Sequence, residues 1–232
     1  MQYEMLEVPT DDYLDFYIWP EYAEKGYLWM IPKCDGRANV GLVTEDKPRT
    51  KKALDEFIEI THFKDLEQVP PPWKDKGNPA FGGTIPISGP YELTYDDGLM
   101  LVGDAAGFTS PLFEGGSHLA LKSATFAASV AAEQIASGDL SAAKMSRYQK
   151  LWSDEFPPYG KILRGKSALF DLSDDDMSLM ARCFPDEMSD MGPHGKLAVC
   201  LRILFRRPSL YAKRIIPAML SFGYSRAKFY GW

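Results

Sequence analysis

The sequence predicts an α+β protein: a β-rich first part, then one strand–loop–helix segment, then a helical remainder. Three observations carry this. Residues 1–45 hold β-forming aromatic and branched residues, broken by Pro20 and by Asp35-Gly36. A short apolar run, Leu99 to Val102, leads through small residues into a long alanine-rich stretch. Beyond Gly138 the chain reads as helices punctuated by prolines. Of the 232 residues, 45% are hydrophobic and 25% charged, which is ordinary for a globular protein and excludes wholesale disorder or a fibrous repeat.

Taken in order, Tyr13, Phe16, Tyr17, Ile18 and Trp19 suit a strand that Pro20 stops. Residues 26–32 and 37–43 are two further strands, and the Asp35-Gly36 turn between them is a hairpin signal. Leu54, Phe57, Ile58 and Thr61 fall on one face of a helix over 50–61. Pro70-Pro71-Pro72 breaks that region, and a β stretch containing Gly82-Gly83-Thr84-Ile85-Pro86 follows. Asp96-Asp97-Gly98 is a turn, and Leu99 to Val102 has the pattern of a strand covered on both faces. A loop from Gly103 to Gly116 opens a helix that Gly138 ends, with alanines spaced to pack closely on a sheet. Ser141 and Ser173 suit helix N-caps, and Asp174-Asp175-Asp176 a charged first turn. The expected parts are 1–95, β-rich; 96–140, strand–loop–helix; and 141–232, helical.

No run approaches the ~18 apolar residues that span a bilayer. The first twelve residues carry Glu4, Glu7, Asp11 and Asp12 and no cation, so no signal peptide is expected. Cys34, Cys183 and Cys200 cannot all pair and form no CxxC site, which points to a reducing, cytoplasmic compartment. No metal-ligand spacing and no Ser-His-Asp arrangement is present, and His62, His118 and His194 form no constellation. All 32 acidic residues precede residue 191, alongside 18 of the 26 basic ones, so that part carries −14 and the tail +8. The tail cations, Lys196, Arg202, Arg206, Arg207, Lys213, Arg214, Arg226 and Lys228, interleave with apolar residues. They suit either an anionic membrane surface or the acidic body itself. Nucleic acid is not expected, because the acidic body would repel phosphate.

The chemistry concentrates in Leu99-Met100-Leu101-Val102-Gly103-Asp104-Ala105-Ala106-Gly107-Phe108, continuing to Pro111 and Gly115-Gly116. Gly103 and Gly107 let backbone approach a ligand, and Asp104 can accept hydrogen bonds from sugar-like hydroxyls. The free N–H groups at the start of the following helix favour a negative atom. A tight turn with an Asp cap is the plain alternative. Tyr27 and Trp29 suit an aromatic pocket, although aromatic residues on a strand are more often a sheet face packed on a helix.

The string GLMLVGDAAGFTSPLFEGG resembles the second flavin-binding motif of geranylgeranyl reductase-type FAD-dependent oxidoreductases, within the p-hydroxybenzoate hydroxylase-type fold. GYLWMIPKCDGRANVGL is similar to the same family's YxWxFP…anVG block: Tyr27, Trp29, Pro32 and Asn39-Val40-Gly41 match, with Ile31 in place of Phe. Gly82-Gly83-Thr84-Ile85-Pro86 also has a counterpart there. The resemblance covers residues 1–150 well and the tail loosely.

It implies a substrate-side sheet followed by a flavin segment, and reduction of C=C bonds in prenyl chains of lipids or related isoprenoids. Asp104 would contact the ribityl and pyrophosphate side of FAD, lined by Gly103, Ala105 and Ala106. Pro111, Gly115 and Gly116 would lie by the isoalloxazine ring. Tyr27, Trp29 and Pro32 would be substrate-side, and NAD(P)H or ferredoxin the electron donor. Ser117-His118 departs from the usual Gly-Ile or Gly-Asn, and no proton donor stands out.

The family's GxGxxG segment occurs nowhere in these residues. The chain is therefore expected to be a fragment, to use a second chain that carries that half, or to have lost flavin. A flavin monooxygenase or halogenase of the same fold is the alternative enzyme. A non-catalytic partner or lipid-binding module is the alternative class. Three scattered cysteines argue against an electron-transfer flavoprotein:quinone oxidoreductase, which needs four for its cluster.

Overall fold

The computed structural model describes residues 1–11, 13–72, 77, 79–186 and 192–224. The chain divides into two compact units, Met1–Thr84 and Ile85–Trp232.

The first unit is an antiparallel sheet covered by one helix. Its elements are β1 (Gln2–Met5), β2 (Asp15–Tyr17), β3 (Tyr27–Pro32), β4 (Ala38–Val43), α1 (Thr50–Ile60) and β5 (Gln68–Val69). The strand order is β2-β3-β4-β1-β5. The expected β3–β4 hairpin forms, with Asp35 (φ 63°) and Gly36 (φ 67°) both left-handed, the geometry that suits the twist of the flanking strands.

Period-two alternation then sorts the side chains. Leu28, Met30, Val40 and Leu42 share one face and are fully or almost fully buried against Ala53, Leu54, Phe57 and Ile58 of α1. Each large side chain so buried contributes roughly 1.5–3 kcal/mol, which fixes the register against a one-residue slip. The expected helical face on α1 is present.

The β stretch expected around Gly82–Pro86 does not form. The chain pairs only through the bridge Gln2–Phe81, and prolines at 79, 86 and 90 remove the donors that a ladder would need.

The second unit opens with a short hairpin, β6 (Tyr95–Asp96) and β7 (Leu99–Met100), turning at Gly98 (φ 63°). β7 is shorter than its apolar run, and Leu99 is half exposed. It pairs with one strand only, and the chain leaves the ladder for a 3-10 turn at Gly103–Ala106.

α2 (Ser117–Ser137) follows and ends, as expected, at left-handed Gly138. Its alanines do not line a sheet. Ala124, Ala128, Ala132 and Ala136 are exposed, and α2 packs on α3 (Ala142–Glu155) through Leu119 and Val130, in one core with Met145, Tyr148 and Trp152. Ser141 occupies the N-cap position of α3, but the Ala142 N–H donates to Asp97 Oδ1 (2.5 Å).

α4 (Tyr159–Phe170) and α5 (Asp174–Ala181) come next, and Ser173 Oγ accepts from Asp176 N at the start of α5. The three aspartates fill that first turn, where the helix dipole favours them.

The tail forms α6 (Pro193–Arg206), α7 (Pro208–Leu210), a π-helical turn Tyr211–Ile215 and α8 (Ile216–Tyr224). α4 and α8 cross with backbone contact: a Cβ on Gly165 would stand 2.1 Å from Ser221 Cβ. Arg214 reaches Asp171 (2.7 Å) and Arg207 reaches Asp176 (3.3 Å), so part of the tail charge pairs with the acidic body. Arg226 and Lys228 lie outside the described residues. Among the described residues no helix is long and apolar enough to cross a membrane.

Candidate functional site

Each unit carries candidate site residues of its own. In the first, the sheet face opposite α1 gathers Tyr27, Trp29 and Ile31 of β3. Trp29 pairs across the sheet with Phe16 of β2 on one side and Gly41 of β4 on the other; Gly41 in turn pairs with Gln2. The rings form a row: Phe16 and Tyr27 meet edge-on at 5.0 Å, and Tyr27 and Trp29 lie 5.8 Å apart. Trp29 Nε1 donates to Gln2 Oε1 (3.3 Å). The helix covers the other face of this sheet. Tyr27 is buried, Trp29 half-buried and Phe16 exposed.

Pro32 is not brought together with Tyr27 and Trp29. By alternation it shares the side of Leu28 and Met30, at the strand end opposite Ala38.

At the far end of the aromatic face Glu4 Oε2 accepts from Lys33 (2.7 Å) and Oε1 from Arg37 (2.8 Å). The Lys33 hydrogen bond, with a smaller opposing effect of burial, holds the Glu4 carboxyl below the usual carboxylate range. The sequence gives no sign of this cluster, because register alone joins β1 to the hairpin ends.

In the second unit, Gly103 (φ 56°) and Gly107 (φ 77°) bracket the 3-10 turn. A Cβ on Gly107 would stand 2.4 Å from Gly89 O, so only glycine fits there. Gly103 N donates to Ser123 Oγ (3.1 Å), fixing the turn to α2. Asp104 and Ala105 are exposed, whereas Gly103, Ala106 and Pro111 are buried and Gly115 and Gly116 half-buried. Asp104 Oδ1 accepts from Thr109 Oγ1 (2.6 Å), a contact that orients the carboxylate and leaves Oδ2 outside that bond.

Gly116 is the N-cap of α2 and offers no side-chain cap to its first-turn amides. A Cβ on Gly116 would meet Asp104 Oδ1 at 3.0 Å. Asp104, Gly103, Gly116 and the start of α2 are thus adjacent.

The segment 110–116 closes on itself. Ser110 N donates to Gly115 O (2.8 Å) and Glu114 N to Ser110 O (3.0 Å). Glu114 sits at φ 50°, a left-handed conformation that costs a residue with a Cβ roughly 1–2 kcal/mol. Its carboxylate lies 3.3 Å from Lys166 Nζ of α4, with both side chains buried. Sequence reading passed over both residues; an acidic residue among small ones, Glu114, is the one signal that could have marked the pair.

His118 lies in the first turn of α2. Among the described residues no group of three His, Cys, Asp or Glu could hold a metal ion.

These features fit the distal half of a dinucleotide site: glycines where a Cβ would fill the cradle, an exposed oriented carboxylate and an uncapped helix start. Fold and motifs together give an α+β chain that is similar to geranylgeranyl reductase-type proteins. Residues 1–69 match the family model described as geranylgeranyl reductase catalytic domain.

The chain is 36% identical over 216 residues to digeranylgeranylglycerophospholipid reductase 2 of Methanothermobacter thermautotrophicus, covering 90% of this chain and 52% of that protein. It is 37% identical over 217 residues to digeranylgeranylglycerophospholipid reductase of Methanocaldococcus jannaschii, covering 90% and 52%. A solved structure described as geranylgeranyl bacteriochlorophyll reductase-like, from Thermoplasma acidophilum, superposes with a TM-score of 0.72 at 28% identity, over 93% of this chain and 53% of that one. The chain spans about half the length of the relatives it matches.

Proposed function

We propose that this chain forms the substrate-side and distal flavin-binding parts of an FAD-dependent oxidoreductase that reduces C=C bonds in the prenyl chains of lipids. The observation that carries the reading is the aromatic face of β3: it lies opposite the helix-covered side and falls within the residues that match the catalytic-domain model.

Tyr27 and Trp29 offer a prenyl chain flat apolar surface and exclude water from it. Pro32 enters through the strand end that it fixes. Asp104 accepts hydrogen bonds from the ribityl chain, with Gly103, Ala105 and Ala106 leaving room for it. Gly115, Gly116 and the first amides of α2 face negative charge on the ring, and Pro111 supports them. When bound and reduced by the electron donor, FAD would supply the hydride for reduction of an isolated double bond, and a proton would complete the addition. The adenosine end needs a GxGxxG half, supplied by a longer chain or by a second one, and NAD(P)H or ferredoxin supplies electrons.

A membrane-resident substrate also favours peripheral association. α6 exposes Leu197, Leu201 and Phe205, and α8 exposes Ile216, Met219 and Leu220. Cys200 Sγ and Met219 Sδ, 3.8 Å apart, join the two stripes. Arg202 and Arg206 flank them, and residues 191–232 contain no Asp or Glu. That combination suits an anionic interface.

The experiment is reduction of a geranylgeranyl lipid by the chain assembled with the half that carries GxGxxG. FAD alone should bind residues 1–232 weakly, and the assembly stoichiometrically. Trp29→Ala in the assembly should lower turnover more than flavin occupancy. An assembly that holds flavin yet leaves every prenyl double bond intact would overturn the substrate reading.

A further inference from the structure

The Glu114–Lys166 ion pair is more deeply buried than any other ion pair of the described residues, with 4% and 7% of the two side chains exposed. Burying two charges is a weak way to gain stability, since well-packed neutral residues serve as well or better. Its better-attested use is to select one arrangement over others. Here the pair joins two segments 52 positions apart: the closed loop 110–116 and the middle of α4.

α4 is held rigidly at this point. Gly165, next to Lys166, packs directly on Ser221 of α8. Lys166 Nζ also lies 5.8 Å from the Phe170 ring centroid, one turn further along α4. The loop end is the opposite case. Glu114 is left-handed, and Gly115 and Gly116 follow it with no Cβ to lock their conformation. Two backbone hydrogen bonds close the loop, and α2 starts directly after it.

We infer that Lys166 is a positioning residue: its ammonium group anchors the Glu114 carboxylate to α4 and so sets where Gly115, Gly116 and the first amides of α2 stand. The inference rests on the proposed reading of this loop as the flavin-ring side of the site. Neither side chain is assigned contact with flavin or substrate. The pair fixes the backbone that makes that contact.

The test compares wild type with Glu114→Gln/Lys166→Met, which removes both charges and leaves no lone buried ion, and with Lys166→Arg, which keeps the charge and changes its reach. In the 232-residue chain, hydrogen exchange at the Ser110 and Glu114 amides should be at least tenfold faster in the double variant, with the β3 and β4 amides unchanged as an internal reference. Exchange at wild-type rates would overturn the inference.

In the assembly with the GxGxxG half, the double variant should bind FAD at least threefold more weakly. The bound flavin should also show a shifted absorption band and midpoint potential, readouts that lost stability alone does not move. Lys166→Arg should restore most of both. Unchanged affinity, spectrum and potential would overturn the positioning role. If wild-type assembly takes up no flavin, the flavin reading itself is wrong, and the role given to the pair falls with it whatever the exchange rates. Should the double variant fail to fold, Glu114→Gln, which removes the carboxylate charge but keeps an oxygen to accept from the Lys166 ammonium, carries the comparison, with smaller shifts in the same direction expected and wild-type behaviour overturning the inference.

Discussion

The indole of Trp29 lies against the backbone of Gly41, its cross-strand partner: a Cβ on Gly41 would stand 2.6 Å from Trp29 Cζ2. Two motif positions twelve residues apart are thus one packing unit. Glycine in the middle of a strand is normally unfavourable, and here it makes room for the ring. Gly41→Ala should therefore push Trp29 off its seat and destabilise the first unit by about 1–3 kcal/mol. Urea unfolding followed by tryptophan fluorescence measures this. An unchanged midpoint and emission maximum would mean that the indole moves aside without cost.

Asp104→Ala should leave the fold intact, because Asp104 is exposed and its described hydrogen bond is to the nearby Thr109. Flavin affinity of the assembly should fall by one to two decades, the equivalent of roughly 1.5–3 kcal/mol for a charged acceptor. Fluorescence titration with FAD checks it. Full occupancy at low FAD would reduce Asp104 to a turn residue.

Tyr148 gives a pH signature. Its hydroxyl donates to Leu101 O (2.6 Å), and burial pushes its pKa up to about 12 from an ordinary value of 10.0. A phenol whose folded pKa is raised holds its proton more tightly when folded. Its contribution is fully present below about pH 10 and is lost as the pH rises toward 12. Tyr148→Phe should lower stability at pH 8 by about 1 kcal/mol for the lost hydrogen bond and flatten the decline above pH 10. Denaturation midpoints from pH 8 to 12 test this, and parallel curves for the two proteins would contradict it.

Phe205 is 81% exposed on α6, so its loss should cost little stability. Phe205→Asp places a carboxylate at the C-terminal end of the α6 stripe, on its most exposed apolar residue, and should sharply reduce pelleting with anionic vesicles at low salt. Neutral vesicles and high salt should reduce binding of the wild type as well. If the wild-type chain does not pellet with anionic vesicles at low salt, the tail cations serve the acidic body, as Arg214 and Arg207 already do at Asp171 and Asp176.

Much of this molecule is written locally in its sequence. Asp35-Gly36 dictates the hairpin turn, alternation in β3 separates Leu28 and Met30 from Tyr27 and Trp29, and Gly138 stops α2, because turn conformation and side-chain period are set by neighbouring residues. The string Gly103 to Gly116 likewise reveals a site where backbone must come close to something. What the sequence could not decide depends on which distant segments meet. Whether α1 covers the Leu28 face or the Trp29 face follows from the packing of Phe57 and Leu54, and this left the aromatic row uncovered by α1. The alanines of α2 suggested a sheet; Ala127 instead packs on the core built with Tyr148 and Trp152, and Ala124, Ala128, Ala132 and Ala136 face away from it. The capping of α3 passed from Ser141 to Asp97, 45 residues from the amide it accepts. Lys166 looked like any surface lysine until the α4–α8 crossing buried it beside Glu114. Burial and long-range pairing are properties of the assembled core, and no window of neighbouring residues contains them.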